Sequence, residues 1–204
     1  MSSSAGLFVL PSPWSQEAYL KAFRFAATAH KGQSVSGTDF PYLAHVVMVA
    51  MEVIAALTVE HSQDGNLAVQ CALLHDVIED TGTTFQQVKE EFGQNVAQGV
   101  LALSKDARLG DHHQLADSLK RILAEPKEIW MVKLADRITN LQPPPRHWTL
   151  EKKTTYREEA KEILEKLGSA SPLLARRLME KIDTYRSYLQ AEQPKGQPGR
   201  PPHG

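Results

Sequence analysis

Intramolecular disulfide chemistry is closed to this chain. Its 204 residues hold one cysteine, Cys71, so no intramolecular bridge can form and a disulfide-stapled scaffold is excluded. A lone thiol fits a reducing compartment, and a cytoplasmic location is expected. An excess of charge of either sign is missing as well. Lys and Arg number 23 against 24 Asp and Glu, a formal net charge of −1, which excludes a general basic coat for nucleic-acid polymers and an acidic solvating tail. Long apolar runs are also lacking. Ala5 to Leu10 has no basic leader and is too short for a signal sequence or a membrane span, so no membrane partner is expected.

Breakers are scarce where they would matter most. Gly and Pro number 12 each, but ten of them fall in residues 1–13 and 191–204. The middle is 14–190, rich in Ala, Leu, Glu, Lys and Gln, and it suits helices better than strands. The expected architecture is a single all-α domain over 14–190, a bundle of about eight to ten helices, between a flexible N-terminal segment (1–13) and a flexible C-terminal tail (191–204). Ser15 reads as an N-cap before a stripe of Tyr19, Phe23, Ala26, Ala27 and His30. A second helix is expected over about 42–57, with His45, Val49 and Val53 on one face, and a third over about 67–80. Thr84 with Gln87 forms a capping box, and Gly93 ends the short helix that follows. Residues 104–113 read as a loop. Helices over about 114–123, 126–142, 151–167 and 172–189 complete the domain, the second of these closed by Pro143, Pro144 and Pro145.

What the chain does have is a run of ionisable groups inside an apolar helix, His75-Asp76-Val77-Ile78-Glu79-Asp80. His75 and Glu79 are four apart, as are Asp76 and Asp80, so on a helix the pairs occupy adjacent stripes. His75 and Asp76 can reach one metal beside the helix, while Glu79 and Asp80 stand a turn further on for proton transfer. Two other segments bury polar groups among aliphatics: His45, and Asp136 within Met131 to Ile138. An imidazole or carboxylate in such surroundings is costly unless it is paired or bound to a cation. One shared divalent ion resolves all three cases. Two imidazoles and two carboxylates without a thiolate suit an octahedral Mn²⁺ or Fe²⁺ with open positions better than a closed structural zinc.

Each residue alone has a plainer reading. His75 or His45 can be a hydrogen-bonded core histidine, and Asp136 with Arg137 a surface ion pair. Glu79 and Asp80 can simply end a helix, although acids at a C-terminus oppose the macrodipole. The conjunction on three helices favours the metal site. The remaining histidines are expected to be structural or solvent-exposed, with His30 the first exception to look for, and Lys133 to be structural.

These residues carry a family likeness. His30-Lys31-Gly32-Gln33, Pro41-Tyr42-Leu43-Ala44-His45, Ala72 to Thr81 and Val132 to Asn140 together resemble the HD-domain superfamily, and within it the alarmone hydrolase domain of the RelA/SpoT type and the small alarmone hydrolases. The resemblance implies an HD-type helical bundle in which His45, His75, Asp76 and Asp136 hold Mn²⁺. It implies that Glu79 and Asp80 position and activate the attacking water and that Asn140 lies near the substrate's sugar and phosphates. The reaction implied is metal-dependent hydrolysis of the 3′-diphosphate of a hyperphosphorylated guanosine or adenosine nucleotide, (p)ppGpp or (p)ppApp, with release of pyrophosphate. The chain departs from the pattern at Val35, where the family usually has a basic residue packed over the base. Val35 then offers only apolar contact, with Arg24, Lys31 or Lys105 as substitutes from nearby. The family's proline after the motif histidine is replaced by Val46. Two other readings stand beside this one: an HD phosphohydrolase for another phosphorylated nucleotide or a dinucleotide cofactor, kept alive by Val35, and a catalytically inactive nucleotide-binding module, disfavoured because all the buried charges are in register. The sequence leaves the oligomeric state open.

Overall fold

The computed structural model describes residues 13–60 and 64–190. The flexible ends expected at 1–13 and 191–204 lie, apart from Pro13, outside the described residues. The described residues form α1 (Gln16–Ala29), α2 (Tyr42–Leu57), α3 (Gly65–Leu74), α4 (Val77–Asp80), α5 (Phe85–Phe92), α6 (Gln94–Leu103), α7 (Asp111–Leu123), α8 (Lys127–Asn140), α9 (Leu150–Leu167), α10 (Pro172–Tyr185) and α11 (Ser187–Gln190), with a 3-10 turn at Gly168–Ala170. The architecture is all-α, as the composition implied. Among the described residues the only extended pairing is an isolated bridge between Ser34 and Pro41.

Local chemistry accounts for many of the boundaries. The Ser15 side chain accepts from the Glu17 and Ala18 amides at 3.2 and 3.3 Å and starts α1. Thr84 and Gln87 form the reciprocal capping box at α5, which ends at Gly93, whose φ of 89° is costly for a residue with a Cβ. Ser171 caps α10, and Pro172 occupies its first turn. The run of prolines at 143–145 follows α8 and cannot continue it.

The core gathers around α3. Val69, Cys71, Ala72, Leu73 and Leu74 are fully buried, and α1, α2, α6 and α8 pack against them. Each fully buried leucine here contributes about 1.5–3 kcal/mol relative to exposure. α6 comes so close that a Cβ at Gly99 would collide with Ile129 and Cys71. His45, Val49 and Val53 are buried on the inner face of α2, which lies against α3 and α8. Among the described residues no helix is long and apolar enough to cross a membrane.

One expected helix is in fact two. Instead of a continuous span from Leu67 to Asp80, α3 stops at Leu74, His75 and Asp76 form a turn, and α4 starts at Val77. The reason is geometric. Neighbouring side chains on an unbroken helix point about 100° apart, which would separate His75 from Asp76. The Asp76 backbone, at φ −104° and ψ −1°, lies at the sparsely allowed edge of helical space. The turn brings His75 Nε2 to 2.7 Å from Asp76 Oδ2. A smaller difference is that α7 starts at Asp111, inside the stretch expected to be loop.

Candidate metal centre and adjoining cavity

Four side chains from three elements meet where α2, the α3–α4 turn and α8 come together. His45 and His75 face each other, Nε2 to Nε2, at 3.3 Å. Asp76 Oδ2 lies 2.7 Å from His75 Nε2 and 3.7 Å from His45 Nε2. Asp136 Oδ1 lies 3.6 Å from His45 Nε2 and 3.9 Å from His75 Nε2. His45, His75 and Asp76 each offer one ligand atom within 4.8 Å of the others, a set able to hold a metal ion, with Asp136 beside it.

The outer atoms of the two rings settle which nitrogen faces inward. His75 Nδ1 donates to the Ala72 carbonyl at 2.8 Å. The Thr139 hydroxyl donates to the Asp136 carbonyl at 2.9 Å, so its oxygen is left to accept from His45 Nδ1 at 3.4 Å. Each imidazole thus spends its Nδ1–H on the protein and turns Nε2 to a common point, the arrangement that fixes metal-binding histidines. The carboxylates are steadied in the same way. Tyr42 donates to Asp76 Oδ2 at 2.6 Å, Lys133 to Asp136 Oδ2 at 3.0 Å and Asn140 to Asp136 Oδ1 at 2.5 Å.

The electrostatics reflect this crowding. Burial disfavours a charged His75, but Asp76 and Asp136 outweigh it and its pKa is pushed up to about 9. For His45 burial wins and the pKa falls. Burial would raise Asp76 and Asp136. Yet His75 and Tyr42 hold Asp76 well below the usual carboxylate range, and Lys133 and His75 hold Asp136 low. Without a cation, one of the facing Nε2 atoms must carry a proton to avoid two opposed lone pairs. A divalent ion there would take the place of that proton between His45, His75 and Asp76, with Asp136 beside them, and the donor set fits a metal with nitrogen and oxygen ligands.

Glu79 and Asp80, on α4, line the same hollow of about 100 Å³, together with Asn140. Glu79 Oε2 accepts from the Lys105 amide at 2.7 Å, and Oε1 lies 3.3 Å from the Lys105 ammonium. Asp80 is raised by burial and by the nearby Asp76 and Glu79 charges. The Asp80 carbonyl accepts from Gln33, whose other end meets His30 Nδ1 at 2.7 Å. His30 is buried, and its Nε2 has no hydrogen-bond partner among the described residues.

A second, larger space of about 680 Å³ opens beside the hollow. His45, Tyr42 and Asn140 stand at its boundary with the metal centre. Val35 and Phe40 from the α1–α2 loop, the prolines after α8, and Trp148, Tyr156 and Tyr185 form its walls. Among the described residues no Asp, Glu, Lys or Arg lines it. Val35 therefore does face this cavity. The three cations named as its substitutes do not line it: Lys105 sits against Glu79, and Arg24 and Lys31 are exposed. Lys133 and Arg137 are buried, the first on Asp136 and the second between Glu159, at 3.2 Å, and the face of the Tyr156 ring, at 4.2 Å.

Sequence reasoning missed Tyr42, Thr139 and the aromatic wall. Tyr42 and Thr139 had a readable signal, since each stands three residues from a proposed ligand, His45 and Asp136 respectively. Nothing in sequence spacing joins Tyr185 to Val35.

The family described as HD domain matches residues 22–173. The chain is 32% identical over 133 residues to the guanosine-3′,5′-bis(diphosphate) 3′-pyrophosphohydrolase of Aquifex aeolicus, a match covering 64% of this chain and 18% of that protein. It is 30% identical over 164 residues to the Xenopus tropicalis pyrophosphohydrolase MESH1, covering 78% of this chain and 89% of that one. The chain thus spans under a fifth of the Aquifex relative's length and most of the Xenopus one. A solved structure of a metazoan ortholog of SpoT, described as hydrolysing ppGpp, superposes with a TM-score of 0.73 at 25% identity, covering 88% of this chain and 99% of that one.

Proposed function

Since the chain belongs to the HD-domain family, we propose that it hydrolyses the 3′-diphosphate of a hyperphosphorylated guanosine or adenosine nucleotide, (p)ppGpp or (p)ppApp, and releases pyrophosphate. In this reading His45, His75, Asp76 and Asp136 hold a divalent ion, Mn²⁺ by the mixed nitrogen and oxygen donor set. The observation that carries it is that His45, His75 and Asp76 offer ligand atoms to one point, with Asp136 Oδ1 3.6 and 3.9 Å from the two imidazole nitrogens, beside a nucleoside-sized cavity. Relatives whose names give this activity support the substrate class.

When bound, the ion polarises a phosphoryl oxygen and lowers the pKa of water. The rest falls to side chains of the chain. Glu79 and Asp80 border the hollow, where either carboxylate can accept the water's proton, and burial with the neighbouring Asp76 and Glu79 charges raises Asp80, which strengthens it as a base. Lys105 keeps Glu79 oriented through two contacts. Water adds to the phosphorus next to the ribose, the 3′-oxygen leaves and is protonated, and pyrophosphate departs. Asn140 stands between Asp136 and the cavity, in reach of the sugar and 3′-phosphate. The uncharged cavity takes the nucleoside, and Val35 forms part of its wall.

Phosphorus NMR tests the proposal. Mn²⁺-loaded protein incubated with ppGpp should yield pyrophosphate and a 5′-diphosphate, at a rate that falls at least about a thousandfold in His75→Ala. Orthophosphate as the first product, or unchanged ppGpp and ppApp, would refute it.

A further inference from the structure

The cavity wall holds a polar group with nothing to bind. Tyr185, on α10, is 1% exposed, and its hydroxyl has no hydrogen-bond partner among the described residues. Its ring is well seated, with ring centroids 6.2 Å from Tyr156 and 5.5 Å from Tyr188. Phenylalanine would fill the same space without stranding a hydroxyl, and a buried, unpaired hydroxyl is unfavourable. Tyr185 also lines the 680 Å³ cavity, whose walls are otherwise largely apolar.

We propose that the Tyr185 hydroxyl hydrogen-bonds the nucleobase of the bound nucleotide and helps set base recognition, an inference that rests on the nucleotide hydrolase reading above. The phosphates belong at the hollow where the proposed ion would sit, at the His45 and Asn140 end of the cavity. Trp148, Tyr156 and Tyr185 line the cavity without lining that hollow, so they meet a part of the ligand away from the phosphates. That part is flat, uncharged and polar at its edge. Aromatic and proline faces suit its rings, and a neutral hydroxyl suits a ring nitrogen or carbonyl oxygen on its edge. Burial pushes the Tyr185 pKa up to about 12, so the hydroxyl keeps its proton at neutral pH and can donate it. Among the described residues no Asp, Glu, Lys or Arg lines the wall, so recognition of the base falls to neutral groups, of which the Tyr185 hydroxyl is the one left without a partner.

The test is calorimetric titration of metal-loaded wild type and Tyr185→Phe with guanosine 5′-diphosphate and, separately, with inorganic pyrophosphate. The expected result is about tenfold weaker nucleotide binding in the variant, unchanged pyrophosphate binding and a nucleotide-free melting temperature equal to or above that of wild type. In turnover, KM should rise by a similar factor with kcat nearly constant. Equal nucleotide affinity in the two proteins overturns the inference. So does a parallel loss of pyrophosphate affinity, which would mark a structural role, or a wild type that binds no nucleotide. A wild type that binds the nucleotide through Tyr185 but leaves ppGpp intact refutes the hydrolase reading and leaves this inference standing.

Discussion

In the metal-free chain His75 keeps a proton on Nε2 because Asp76 Oδ2 lies 2.7 Å away. The folded pKa, pushed up to about 9, lies above the ordinary imidazole value of about 6.5. Between those two values the folded, metal-free site holds a proton that an incoming ion must displace. Metal affinity should therefore rise with pH through this window, and near pH 7 binding should release about one proton per ion. Calorimetry in two buffers of different ionisation enthalpy reads that number directly. Zero release at pH 7 would mean that the ion does not bind through His75. Glu79 makes a separate case. Glu79→Gln keeps the Lys105 amide contact but removes the base, so kcat should fall about 10²–10⁴-fold with metal content retained. A variant with undiminished kcat would remove Glu79 from the chemistry.

At the scale of elements, the turn between α3 and α4 gives the site its shape, and it was not legible beforehand. The four-residue spacings of His75 with Glu79 and Asp76 with Asp80 satisfy an unbroken helix, and no glycine or proline marks the interruption. The turn is stabilised by contacts from elsewhere, Tyr42 on Asp76 above all, and such contacts have no signature in local sequence. Helix starts read far better. The caps at Ser15 and Thr84 act within three residues and were plain from the order of side chains. The close approach of α6 to α3 and α8 was equally hidden, since Gly99 looks like an ordinary helical glycine. Gly99→Ala should destabilise the protein by about 1–3 kcal/mol, because its Cβ would meet Ile129 and Cys71. Urea unfolding monitored by circular dichroism measures this, and an unchanged or raised stability would show that the α6 contact is looser than described.

Across the whole molecule, the ligands of the proposed ion come from α2, the α3–α4 turn and α8, elements up to 91 residues apart in sequence. The residue types were readable because each is a polar group in an aliphatic stretch. Their meeting was an inference, as were the cavity and its aromatic wall, which depend on how α9 and α10 fold back on α8. An ion that ties three elements together stabilises the folded chain over the unfolded one. At about a hundred times its Kd it should add about 2.7 kcal/mol, or roughly 5–10 °C in melting temperature. Asp136→Asn should lose most of that shift. The most direct test of the account is a count of bound Mn²⁺ by electron paramagnetic resonance for the wild type and for His45→Ala, His75→Ala, Asp76→Asn and Asp136→Asn at matched helicity. One ion per wild-type chain and greatly weakened binding in every variant is the expected result. A variant that binds Mn²⁺ as tightly as the wild type would contradict a centre built from all four side chains.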